Sequence, residues 1–119
     1  MKQLTIDIFN NMVANEKRRI RRTLRQDPQA KVSLREMLNL QEKLEEYVRS
    51  DDPRMSGAVS INHLDGSHLY FNNAWYEIFP AGMGYDGPVD WILIFTEHHG
   101  SHLYHSEDLT YWEHYCKKK

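Results

Sequence analysis

The sequence predicts an α+β domain: an N-terminal helical hairpin, an antiparallel sheet of about five strands and a short C-terminal helix. Three observations predict it. Up to residue 52, apolar residues recur at helical spacing in two segments, each halted by an Asp-Pro pair. From Gly57 onward the pattern shortens to strand-length runs separated by Asp-Gly, Asn-Asn and His-Gly. A length of 119 residues, 40% hydrophobic and 12% aromatic, suits one domain (1–119) with a real core and not a disordered chain.

The first helix is expected over about Thr5 to Gln26. Ile6, Phe9, Val13, Ile20 and Leu24 form a narrow apolar stripe, and Asp27-Pro28 stops it because a residue before proline avoids the α region. The second helix starts at Ser33, with Glu36 three residues on in a capping-box pattern, and is expected to end near Ser50-Asp51-Asp52-Pro53. Leu34, Met37, Leu38, Leu44, Tyr47 and Val48 give it the wider apolar face. Strands are expected at Ala58–Leu64 and Ser67–Phe71 around Asp65-Gly66, the strongest short hairpin signal. A third, Ala74–Phe79, follows an Asn72-Asn73 turn. Asp90–His98 and Ser101–His105 then flank His99-Gly100. The final helix, Glu107–Cys116, has Ser106 as its cap. The two hairpins share a repeat: Gly66-Ser67-His68-Leu69-Tyr70 recurs as Gly100-Ser101-His102-Leu103-Tyr104.

Charge is divided along the chain. Residues 1–35 carry nine Lys/Arg against three Asp/Glu, and residues 36–119 six against fourteen, so +6 and −8 are hidden in a net charge of −2. The cations concentrate in Lys17-Arg18-Arg19-Ile20-Arg21-Arg22-Thr23-Leu24-Arg25. With Ile20 and Leu24 inward, Lys17, Arg18, Arg19, Arg21, Arg22 and Arg25 crowd an outer face where they repel one another, and an anionic partner relieves that repulsion. The competing explanation is a solvated face, or ion pairs with Glu42, Glu45 and Glu46 of the second helix. The segment has no interleaved aromatics of the kind that stack on bases.

Other motifs carry less. His63, His68, Glu97 and His102 are the candidate metal ligands. If both hairpins have two-residue turns, Glu97 lies opposite His102 and His63 opposite His68. Without an H-E-x-x-H or a pair of Cys-x-x-Cys motifs, polar surface is the better reading, and no metal, cofactor or catalytic residue is assigned. Gly82-Met83-Gly84-Tyr85-Asp86-Gly87 spells G-x-G-x-x-G, but prolines at 80 and 88 and a following strand deny it the helix N-terminus that phosphate binding needs. A flexible inter-strand loop that touches a partner through Met83, Tyr85 and Asp86 is expected instead. Most of Trp75, Tyr76, Trp91, Tyr111, Trp112 and Tyr115 are assigned to the core. Cys116 is the lone cysteine, Trp91–Phe95 is the longest apolar run, and MKQLTIDIFNN lacks an apolar leader core. These lead us to expect a cytoplasmic protein without a membrane partner, as a monomer or homodimer.

The expected role is a non-enzymatic binding protein. It docks by its cationic helix onto a protein of a nucleic-acid-processing complex or onto nucleic acid itself. That profile matches, in type alone, phage and mobile-element inhibitors of host CRISPR or restriction machinery. The rivals are a direct DNA- or RNA-binding regulator and a small His/Glu metal-dependent enzyme.

Overall fold

The structure, a computed structural model, describes residues 2–116, with side chains described for 3–110. Two helices, α1 (Lys2–Gln26) and α2 (Leu34–Glu45), precede five strands: β1 (Gly57–His63), β2 (His68–Gly84), β3 (Gly87–Thr96), β4 (Ser101–His105) and β5 (Leu109–Cys116). No helix is long and apolar enough to cross a membrane, among the described residues.

The helix ends follow from local chemistry. Asp27 closes α1 by accepting the Gln29 N–H at 3.0 Å, and Ser33 Oγ accepts the Glu36 N–H at 3.1 Å in the expected cap. The second helix stops at Glu45, earlier than expected. Tyr47 and Val48 still pack on the core, held by turn bonds from their N–H groups to Leu44 and Glu45 carbonyls at 3.0 and 3.2 Å.

The strands form one antiparallel sheet in the order β4-β3-β2-β1-β5. Its organiser is the 17-residue β2. The first half of β2 pairs with β1 as far as Ala74, and the second half pairs with β3 from Ala74 onward. At the junction the β1–β2 register shifts and Asn73 takes φ 52, making a bulge that bends the strand. The expected Asn72-Asn73 turn is therefore a corner inside one continuous strand, because asparagine tolerates the left-handed region without reversing the chain.

The corner folds one half-sheet over the other. In a flat sheet β4 and β1 would lie roughly 14 Å apart. Yet the Tyr104 ring of β4 is 5.4 Å from the His63 ring of β1, and His102 is 4.7 Å from Phe71. The result is a half-barrel. Its concave side encloses Val59, Ile61, Phe71, Ile92, Ile94 and Leu109, bordered by Tyr76, Ile78 and Tyr104. On the opposite face of β2 and β3, α1 and α2 bury Phe9, Val13, Ile20, Met37, Leu40 and Leu44 against Trp75, Phe79, Leu93 and Phe95. Because β3 is covered on both faces, Ile92 through Phe95 are all about 1% exposed or less, which explains a continuous apolar run where a half-exposed strand would alternate.

The expected C-terminal helix is a strand. Ser106–Asp108 form only a 3₁₀ turn, and β5 pairs with β1 from Leu109 to Cys116. The Leu64 N–H donates to the Asp108 carbonyl at 3.1 Å, and Thr110 Oγ1 donates to that of His63 at 3.2 Å. The Thr-Tyr-Trp content of this segment favours a pleated surface, and β1 would otherwise expose an unpaired edge. The assignment of Tyr111, Trp112 and Tyr115 to the core lies outside the described side chains.

Both short hairpins have a longer loop than a two-residue turn. The His63 N–H donates to the Ser67 carbonyl and the Thr96 N–H to that of Gly100, leaving three residues in each loop, with Gly66 at φ 90 and Gly100 at φ 70. This changes every facing pair. His68 stands opposite Asn62, not His63, and His102 opposite Ile94, not Glu97. The G-x-G-x-x-G stretch is likewise no loose loop: Met83 pairs with Pro88 and Gly84 with Gly87, leaving Tyr85-Asp86 as a tight hairpin tip.

Candidate functional site

Helix α1 runs along β2 in the same direction. Phe9 packs edge-on against Trp75 at 5.8 Å, Lys17 reaches Glu77, and the loop beyond α1 meets the end of β2 where the Val32 N–H donates to the Ala81 carbonyl at 3.0 Å. The two sides of α1 differ. Toward α2, Arg19 is consumed by the protein itself: it bonds Glu16 one turn back and lies 3.6 Å from Glu36.

The other side opens into a groove of about 750 Å³. Lys17, Arg18, Arg21 and Arg25 line it, Val13 and Leu24 supply apolar surface, and Glu77 of β2 is its described lining residue from the sheet. The spacing 17, 18, 21, 25 sets these cations along one flank of the helix. Lys17 Nζ sits 3.4 Å from Glu77 Oε1 and 5.6 Å above the Phe79 ring. Arg18 donates to Asn15 Oδ1 at 3.0 Å. Arg21, Arg22 and Arg25 are exposed and make no hydrogen bond or ion pair with any described residue. Ion pairing therefore accounts for Lys17 and Arg19, and Glu42, Glu45 and Glu46 take no part in it among the described residues.

The expected loop residues are also placed. Tyr85 is 95% exposed at the hairpin tip, and Met83 is exposed two residues before it. Asp86 lines a smaller depression of about 430 Å³ with Leu64, Val89 and Glu107.

The four candidate metal ligands are not assembled. His63 and His102 turn to the concave side, while His68 lies on the outer face, where Nδ1 donates to Asn62 Oδ1 at 2.7 Å and Ser60 Oγ is 3.3 Å from Nε2. Glu97 sits in the loop, 3.6 Å from His98. Among the described residues, no three His, Cys, Asp or Glu side chains gather as a metal site would require.

Two features escaped the sequence. Arg54 donates to both carboxylate oxygens of buried Asp52, at 3.0 and 2.7 Å, and lies 4.4 Å from the Phe9 and Trp75 ring centres. Glu77, one wall of the cationic groove, reads in sequence as an ordinary polar strand position; the signal beside it was Pro80, since proline within a strand marks an edge. Comparison with protein-family models, with curated proteins and with solved structures finds no match.

Proposed function

We propose that this chain is a non-enzymatic binding protein that docks an anionic partner through the groove beside α1. The observation that carries this reading is the set of cations on that flank, with Arg21 and Arg25 making no ion pair with any described residue. Holding like charges together on one helix face costs free energy in the free protein, and docking a polyanion recovers it. An acidic protein surface belonging to a nucleic-acid-processing complex is the partner we favour, as for inhibitors carried by phages and mobile elements. The described groove lining includes no aromatic ring for base stacking and holds one carboxylate, Glu77, both of which fit a protein better than a single strand of nucleic acid.

The test compares the native protein with an Arg21→Gln, Arg22→Gln, Arg25→Gln variant. A tagged copy expressed in a bacterial host is recovered with and without nuclease treatment. A protein complex retained after nuclease by the native chain and lost by the variant supports the proposal. Retention that vanishes with nuclease, together with salt-sensitive binding of generic DNA or RNA, replaces it with the direct nucleic-acid-binding reading. Equal behaviour of native and variant protein at low salt overturns both.

A further inference from the structure

Beside the groove, next to Glu77, β2 presents an open strand edge. Asp90 gives its N–H to Ser106 Oγ at 2.9 Å, and Thr96 gives its own to the Gly100 carbonyl at 3.0 Å, both on the β4 side of β3. Alternation then turns the N–H groups of Trp91, Leu93 and Phe95 toward β2, where their partners are Phe79, Glu77 and Trp75. The intervening positions of β2 point the other way. Ile78 directs both its N–H and its C=O outward, and Pro80 its C=O.

That outward edge is a gap of defined length. β1 leaves β2 at Ala74, and the Val32 N–H closes the far end at Ala81. Between them no described strand lies alongside. Pro80, with no N–H to give, stands where an edge tolerates it. Lys17 to Arg25 spans roughly 12 Å of helix, and Glu77 to Ala81 roughly 13 Å of strand. The cations and the open edge therefore run side by side over the same length.

We infer that the slot between α1 and the open edge of β2 takes an extended acidic peptide segment of a partner protein, added to β2 as a further strand. The inference rests on the docking reading above and specifies its chemistry. Strand addition supplies main-chain hydrogen bonds, and side chains on alternate residues supply selectivity. Side chains on the helix side of such a strand meet Lys17, Arg18, Arg21 and Arg25, so they are carboxylates. Those on the other side meet the half-buried border of the concave cluster at Ile78, so they are apolar. The preferred ligand is an alternating acidic–apolar strand.

The probe is a short capped peptide of alternating glutamate and valine. Its fully N-methylated counterpart keeps the charges and loses every strand donor. A single-stranded RNA and a DNA duplex complete the set, and the full chain is used throughout. Expected is binding of the unmodified peptide, weakened about tenfold or more by N-methylation and by Arg21→Gln with Arg25→Gln. Hydrogen exchange at the Ile78 amide should slow on binding. Equal binding of the N-methylated peptide, or an Ile78 amide unchanged by saturating peptide, overturns strand addition and leaves charge-driven docking standing. Binding of the nucleic acids without the peptide overturns the protein-partner assignment. Failure of every anionic probe at low salt overturns the docking reading together with this one.

Discussion

At Arg54 five interactions converge on one guanidinium: two bonds to the Asp52 carboxylate, one to Asn10 Oδ1 at 3.0 Å, and two aromatic faces. Asp52 is 6% exposed, so truncating Arg54 removes the cation that faces a buried carboxylate. Arg54→Ala should lower stability by about 3 kcal/mol, measured by urea unfolding, and Arg54→Lys should recover only part because an ammonium lacks the planar fork. Asp90 makes the opposite case. Burial holds its carboxyl above the usual carboxylate range, with His105 pulling it back down. A raised folded-state pKa means that ionisation opposes folding: the stability Asp90 contributes is complete below its unfolded value near 3.8 and is lost as pH rises through the folded one. Asp90→Asn should therefore melt higher than the native protein at neutral pH and converge with it below about pH 4. An unchanged difference across that range would remove desolvation as the cause.

Among the elements, β2 decides the architecture, and its corner depends on Asn73. Asparagine enters the left-handed region at modest cost, glycine at none, and a β-branched residue at high cost. Asn73→Gly should keep the fold, whereas Asn73→Val should cost about 1–2 kcal/mol by the same unfolding measurement. The distinction between corner and turn also explains what was legible in the sequence. Ser33 with Glu36 and Asp27-Pro28 are local signals whose chemistry is complete within four residues, and each marks its boundary correctly, whereas Asp65-Gly66 marks the reversal and misses the loop length by one. Asn72-Asn73 is equally local, but reversing or bending depends on whether Ala74–Phe79 has a neighbour in β3, which no short window contains. Leu109–Cys116 failed for the same reason: Ser106 resembles a cap, and only the vacant side of β1 makes the segment a strand. The register moved by one residue in the first hairpin and by three in the second, which took His63, His68, Glu97 and His102 out of the predicted pairs; an odd shift exchanges the faces of a strand.

On the scale of the whole molecule, the cationic helix was readable because charge and apolar spacing share one periodicity. The open edge beside it was not, because it arises where β1 and β3 part company along β2. The Arg21, Arg22 and Arg25 substitutions should each leave stability within about 0.5 kcal/mol, since these side chains reach no described partner. A larger loss by calorimetry would make them structural. The corner in β2 has one further consequence. Among the described strands, β2 alone pairs with both half-sheets, so β1 and β5 can detach while α1, α2, β3 and β4 keep their own packing. Such a molecule opens in two steps. Native-state hydrogen exchange should find the β1 and β5 amides released by a smaller opening, with a weaker denaturant dependence than global unfolding. The amides of Leu93 and Phe95 should exchange only through global unfolding, so that one chain reports two stabilities.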